Sequence, residues 1–210
     1  YNDISLTRFQ PLSVQEKVIS KGKLLSTNKK VILFVHTFNK SRGVDLLPLI
    51  AQEIKDRKTD AVIIAIGRLG DYSSELNRQI SKYQLQDCFF NLGQVANKDI
   101  DKYYKIADLF IMPSRGEGFP RVLLEAMACA CPALSFDVGG VANILSHSTT
   151  EELLIPLDDE KRFIEQSIRL ISDDSLLTEL SQKSYKKALH YATANIVEMY
   201  TDCLGKLNNV

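Results

Sequence analysis

The chain has no excess charge of either sign: Lys plus Arg and Asp plus Glu both number 26 in 210 residues. No overall field would therefore draw it to nucleic acid or to an anionic membrane, and any anion site must be local. Long hydrophobic runs are also missing. The longest, at 31–35, 61–66 and 109–112, have strand length and fall well short of the roughly 20 residues that span a bilayer. Neither a secretory signal nor a membrane anchor is read. Cysteine is sparse, with Cys88, Cys129, Cys131 and Cys203 alone. That is too few for a disulfide framework, and three of the four lie in apolar runs, as reduced core thiols of a cytosolic protein would. Cys129 and Cys131 stand two apart without a neighbouring His or a second pair, so neither redox nor zinc spacing is met. Internal repeats and low-complexity tracts are absent. The first residue is Tyr1 rather than Met, which predicts that the chain is a piece of a longer protein.

What is present is the composition of a packed, water-soluble domain, 45% hydrophobic and 25% charged. Residues 1–30 carry no sustained periodicity beyond a short helix predicted near 14–23. From 31 onward short apolar runs alternate with longer amphipathic stretches. Strands are expected at 31–35, 61–66, 88–92, 109–112 and 133–136, and helices at 44–57, 73–83, 100–107, 122–130 and 141–145. Strands apolar on both faces belong in a parallel sheet covered by helices. The expected fold class is therefore α/β, a Rossmann-like doubly wound sheet with helices on both faces. After Pro156 helical periodicity takes over at 160–171, 175–189 and 196–207, with Asp158, Asp173 and Thr193 as expected N-caps. The C-terminal region is read as helical.

Ligands of such sheets sit outside the carboxyl ends of the strands, so the loops after the apolar runs carry the chemistry. The most informative is Pro113-Ser114-Arg115-Gly116-Glu117-Gly118-Phe119-Pro120. Gly116 and Gly118 let backbone approach a ligand closely, and Pro120 is expected at the first position of the next helix. The bare helix end, with Arg42, Arg115 and Arg121 nearby, favours a phosphate. Glu117 and Glu125 repel phosphate but accept hydrogen bonds from vicinal hydroxyls. A nucleotide sugar would satisfy both halves of this constellation.

Glu117 and Glu125, with seven residues between them in Pro-Ser-Arg-Gly-Glu-Gly-Phe-Pro-Arg-Val-Leu-Leu-Glu-Ala-Met-Ala and followed by Pro132 and Gly139-Gly140, resemble the signature of family 4 retaining glycosyltransferases. Asn2 to Pro11 is similar to the interdomain linker of that family, and Gly93-Gln94-Val95, Ala107-Asp108 and Tyr200 also match. The resemblance implies the C-terminal, donor-binding domain of the two-domain GT-B fold: residues 1–30 as linker and lead-in, residues 31–210 as the nucleotide-sugar domain, and an N-terminal acceptor domain absent from the chain. It implies transfer of a hexose from a UDP- or GDP-hexose to a hydroxyl acceptor, such as a glycan or lipid-linked glycan held by the missing domain. The product would be a surface polysaccharide.

By the same resemblance Glu125 would bind the ribose hydroxyls and Glu117 would face the transferred sugar. Gly118, Phe119, Pro120 and Arg121 would line sugar and diphosphate, Arg42 would hold phosphate, and Val95 would sit near the base. No metal or other cofactor is implied, since side-chain cations and the helix end stabilise the leaving diphosphate in that family. Two departures stand out: Thr37 occupies the place of a diphosphate-binding Arg, and Asn143 that of a Glu after the glycine pair. They motivate the alternative of a non-catalytic nucleotide-sugar-binding or partner-stabilising module. A GT-B enzyme of other chemistry, such as an epimerase or a glucan phosphorylase, is a third reading.

Blander readings apply elsewhere. Asp99-Ile100-Asp101 resembles a D-x-D metal motif but is better read as a helix start, with Asp99 at the cap. Tyr103 and Tyr104 are read as helix packing residues, and His36, His147 and His190 have no triad spacing. Lys183, Lys186 and Lys187 form a solvated helix face or, on the sharper reading, a contact with anionic lipid, although such recognition usually needs about four to eight cations. The expected location is cytoplasmic, with peripheral association at the inner face of the cell membrane as its extension.

Overall fold

A computed structural model describes residues 4–145 and 152–191. The expectations placed on Tyr200, His147, Thr193, Cys203 and a helix at 196–207 lie outside the described residues. Six parallel strands form one sheet: β1 (Lys30–Val35), β2 (Ala61–Ile66), β3 (Phe89–Gly93), β4 (Leu109–Met112), β5 (Ala133–Phe136) and β6 (Leu154–Ile155). Their order across the sheet is β3-β2-β1-β4-β5-β6. β1 pairs along its full length with β2, from Lys30 opposite Ala61 to Val35 opposite Ile66. On its other side Ile32 and Leu33 pair with Leu109 and Phe110 of β4. Every residue of β2, β4 and β5 is buried, because these strands have helices on both faces and so need apolar side chains in both directions. β3, at one edge, is exposed at Asn91 and Leu92.

The helices are α1 (Val14–Leu25), α2 (Leu47–Asp56), α3 (Ser73–Lys82), α4 (Ile100–Ile106), α5 (Arg121–Ala128), α6 (Val141–Leu145), α7 (Glu160–Ser172) and α8 (Asp174–Leu189). In one group α2 packs against α3 and α7, and in the other α4 and α5 join α1 and α8. The doubly wound fold is thus the one its alternating pattern predicts. The lead-in is more ordered than its weak periodicity suggests. α1 opens with a capping box, in which Ser13 Oγ accepts from the Glu16 amide while the Glu16 carboxylate accepts from the Ser13 amide at 2.9 Å. Ile4 and Phe9 are buried in the same core as the strands.

Buried charge ties α1 to the sheet. Asp108 accepts from the Val31 amide at 2.7 Å and from Lys21 Nζ at 2.5 Å, with Lys17 Nζ 3.0 Å away. Burial alone would raise the Asp108 carboxyl, but the two lysines and the amide outweigh it and hold it below the usual carboxylate range. The three described cysteines are buried free thiols. Burial pushes the Cys129 thiol up to about 12.

Several expectations shift. β6 was not read from the sequence, since a strand of two residues is too short to show a period. The α7 cap is Asp159, whose side chain accepts from the Arg162 amide, whereas the expected Asp158 takes a left-handed turn at φ 66°. Asp173 does cap α8, accepting from the Leu176 amide at 2.9 Å. Pro120 is the residue before α5 rather than its first turn residue, with extended backbone at ψ 110°.

Candidate donor site at the strand switch

The strand order reverses between β1 and β4, because the chain leaves β1 toward β2 on one side and β4 toward β5 on the other. Loops that follow these two strands diverge and leave a crevice at their carboxyl ends, the position at which doubly wound sheets receive ligands. The loop after β1, residues 36–43, and the loop after β4, residues 113–120, are its two walls.

Three separate devices hold the second wall. Gly43, at φ 73°, lies so close to Pro113 that a Cβ there would be 1.9 Å from the Pro113 carbonyl oxygen, so only glycine fits. Arg115 donates to both oxygens of Asp45 at 2.9 and 3.0 Å, to the Lys40 carbonyl at 2.7 Å and to Glu160 at 2.6 Å. It was expected to add charge for a phosphate, but two carboxylates already neutralise it, and its work is to brace the loop. Gly139, at φ 52°, lies against the carbonyl of Glu117, and the Gly140 amide donates to the Gly118 carbonyl at 2.8 Å. The far tip behaves differently: a Cβ at Gly116 or Gly118 would meet nothing within 4 Å. The loop is clamped from behind and open in front.

Glu117 is the focus of this arrangement, its side chain only 11% exposed. Its Oε1 accepts from Arg42 Nη1 at 2.6 Å, and His36 Nε2 lies 3.5 Å from the same oxygen. Arg42 Nη1 also donates to the Gly116 carbonyl at 2.8 Å. Burial would raise the Glu117 carboxyl, yet His36, Ser114 and the charge of Arg42 together lower it, so it is ionised. Ser114 Oγ is fully buried without a hydrogen bond of proper geometry, although it lies near enough to favour the carboxylate. His36 was not assigned to the site from sequence. Its position at the end of β1 was legible, but its contact with Glu117 joins residues 81 positions apart and left no local signal.

Glu125 lies one turn into α5, half-buried between Leu124 and Ala126. Burial raises its carboxyl, and the nearby Tyr104 hydroxyl, Arg121 and Arg8 only partly offset this. Among the described residues it has no ion pair, and the nearby Tyr104 hydroxyl is fully buried without a hydrogen bond of proper geometry. A carboxyl in this setting gains from hydroxyl donors, such as a diol, that satisfy it without adding charge. Pro120 is buried and leads Arg121, which is exposed, into the open N-terminus of α5. Phe119 is half-buried, its ring 6.0 Å from that of Tyr191. Thr37 is half-buried beside His36, to whose Nδ1 its amide donates at 2.8 Å. Val95 stands apart from this cluster, in the loop after β3, a strand that lies two positions and so about 10 Å from β1 at the usual strand spacing.

The Asp99-Ile100-Asp101 carboxylates are engaged within the fold. Asp99 precedes α4 but bonds Lys102 rather than the helix backbone, and Asp101 bonds Lys105 at 2.8 Å.

A family model described as glycosyl transferases group 1 matches residues 15–187. The lipopolysaccharide core biosynthesis mannosyltransferase LpsB of Rhizobium meliloti is 28% identical over 183 residues, 85% of this chain and 51% of that protein. Among solved structures, Anabaena HepE in complex with UDP and glucose superposes with a TM-score of 0.84 at 20% identity, over 98% of this chain and 56% of that one. The C-terminal domain of a glycosyl transferase group 1 protein from Francisella tularensis superposes with a TM-score of 0.78 at 22% identity, covering 90% of this chain and 99% of that domain. The chain spans about half the length of the curated relatives that match most of it.

Proposed function

Since the chain belongs to the glycosyl transferases group 1 family, we propose that it is the donor-binding half of a retaining glycosyltransferase acting without a metal ion. It takes a hexose from a nucleotide diphosphate sugar and passes it to a hydroxyl acceptor that an N-terminal domain supplies. The observation that carries this reading is the cluster at the carboxyl ends of β1 and β4, where Arg42 bonds Glu117 four residues before the uncapped N-terminus of α5, on a loop clamped from behind. The UDP in the HepE complex supports a nucleotide diphosphate as ligand.

In this reading the bond between the anomeric carbon and the diphosphate oxygen breaks, and the electron pair leaves with the diphosphate. Arg42, Arg121 and the α5 amides stabilise that growing charge. Glu117 accepts hydrogen bonds from the sugar hydroxyls, Glu125 from the ribose, and Val95 borders the base. The acceptor hydroxyl oxygen bonds to the anomeric carbon with the configuration kept, and its proton passes to the departing diphosphate oxygen. Lipopolysaccharide synthesis by the Rhizobium relative supports a surface glycan as product.

We propose that the reaction takes place at the cytoplasmic side of the cell membrane, a location that the buried free thiols of Cys88, Cys129 and Cys131 support. Among the described residues no helix is long and apolar enough to cross a membrane. Lys183 is tied to Glu179, which supports a solvated α8 face rather than a lipid contact.

Calorimetric titration of the chain, without added metal, against UDP, GDP, UDP-glucose, UDP-N-acetylglucosamine and GDP-mannose tests the proposal. Saturable binding of one base, weakened in Glu125→Ala, is expected. Failure of all five to bind would refute it.

A further inference from the structure

The histidine that ends β1 is held in an unusual way. Its backbone is pinned to the neighbouring strand: the His36 amide donates to the Ile66 carbonyl at 3.0 Å, and its own carbonyl presses on Gly67, where a Cβ would lie 1.7 Å from it. The ring therefore starts from a fixed Cα. Next, the Thr37 amide donates to Nδ1 at 2.8 Å. A nitrogen that accepts this bond carries no proton, so in the neutral ring the proton is on Nε2. Nε2 lies 3.5 Å from Oε1 of Glu117, longer than a formed hydrogen bond and close enough to become one with a small movement. The backbone thus sets the tautomer and leaves the protonated nitrogen beside one carboxylate oxygen.

The same oxygen takes the short bond from Arg42. Arg42 and His36 approach it from the loop after β1, while the Glu117 backbone is seated on Gly139 after β5. Arg42 holds Oε1 by a hydrogen bond and His36 Nε2 stands 3.5 Å from the same oxygen, so a His36 contact that tightened would restrict the rotation of the carboxylate. If Arg42 turns to the diphosphate when donor binds, it gives up part of its hold on Glu117, and His36 is then the remaining side-chain N–H donor on that oxygen. The length of 3.5 Å suits such a part, because contacts in ligand-free sites commonly tighten on binding.

We propose that His36 is a positioning residue for the transferred sugar: through Nε2–H it holds the Glu117 carboxylate in the orientation that receives the sugar hydroxyls, while Arg42 serves the diphosphate. The inference rests on the donor-binding reading above and adds to it a division of labour between the two groups that touch Glu117. It predicts that His36 matters for the sugar-bearing donor and little for the nucleotide diphosphate by itself. A residue that only shaped the end of β1 would affect both alike.

Two measurements on the 210-residue chain test this. Nitrogen-15 spectra of the histidine rings, with His36 assigned by the signals lost in His36→Gln, are expected to show the Nε2-protonated tautomer for the neutral His36 ring. An Nδ1-protonated ring would overturn the proposal whether or not any ligand binds. The second measurement is calorimetric titration with UDP and UDP-glucose, or with GDP and GDP-mannose where the uridine pair does not bind. His36→Ala should weaken the sugar nucleotide by about threefold to tenfold, the range for one ordinary hydrogen bond, and leave the diphosphate within about twofold. His36→Gln, whose side-chain amide nitrogen can reach the place of Nε2, should restore most of the loss. Equal losses for both ligands, or none, would overturn the inference while leaving the donor site intact. Absence of all nucleotide binding would instead refute the function proposed above, and the ring spectrum would still decide the His36 contact.

Discussion

Replacing Gly139 with Ala separates the two services that glycine performs at this site. The residue has φ 52°, and an added Cβ would lie 1.7 Å from the Glu117 carbonyl oxygen and 2.9 Å from its carbon. The left-handed backbone costs a non-glycine residue about 1–2 kcal/mol. The overlap is a larger matter, since relieving it to van der Waals distance means moving the backbone of Glu117 by about 1.5 Å, carbon and oxygen needing roughly 3.3 Å. Gly93 supplies the control: at φ 62° its Cβ would meet nothing within 4 Å, so Gly93→Ala carries the backbone cost without the collision. For a domain of this size about 1 kcal/mol corresponds to roughly 2–4 °C of melting temperature. Gly93→Ala should therefore melt about 2–8 °C lower and keep its nucleotide-sugar affinity. Gly139→Ala should melt at least as low and bind the sugar nucleotide more than about tenfold more weakly, because misplacement by an ångström is costly where geometry carries the interaction. Calorimetry and thermal melts on both variants read the result. Equal affinity in the two would show that the glycine pair does not seat Glu117, and the account of the clamped loop would fall.

Two further outcomes follow from charge. Asp108 is held below its usual pKa by Lys17, Lys21 and the Val31 amide, so its contribution to stability is present above the unfolded carboxylate value and is lost as pH falls through the lower folded value. Acid melts should show Asp108→Asn losing the wild type's excess stability near neutral pH and approaching it in strong acid. Parallel curves at all pH values would exclude this linkage. At the site, Thr37→Arg returns a cation to the mouth of the crevice, and UDP or GDP binding should tighten by about tenfold with a steeper dependence on salt. Unchanged binding would mean that position 37 does not face the diphosphate.

How much of this was legible in the sequence depends on the range of the interaction. The five longer strands and the helices through 189 announce themselves by periodicity, which is a local property of burial. Asp173 is visible as a cap because its partner, the Leu176 amide, lies three residues on. Errors of one residue at Pro120 and Asp159 arise where backbone conformation, not residue type, decides which residue turns first. The roles of Arg115 and His36 were hidden for a different reason. Arg115 is 70 residues from Asp45 and 45 from Glu160, so its loss as a free cation is a tertiary fact. The motif around Glu117 singles out that carboxylate as a candidate, and only the fold shows what holds it.

The fold also changes the electrostatic meaning of the site. From sequence the loops look like an anion trap with three arginines, but in the folded chain Arg115 is neutralised by Asp45 and Glu160, and Arg42 is bonded to Glu117. In the proposed function the attraction for a diphosphate would come from exposed Arg121, the α5 amides and whatever share of Arg42 can be released. Binding would then be an exchange rather than a simple addition: Arg42 would weaken its bond to Glu117 as it met phosphate, and Glu117 would replace that partner with hydroxyl donors. A ligand that brings only phosphate leaves a half-buried carboxylate poorer in partners, and one that brings only hydroxyls leaves Arg42 where it was. The arrangement rewards a ligand that carries both, which is the chemical description of a nucleotide diphosphate sugar.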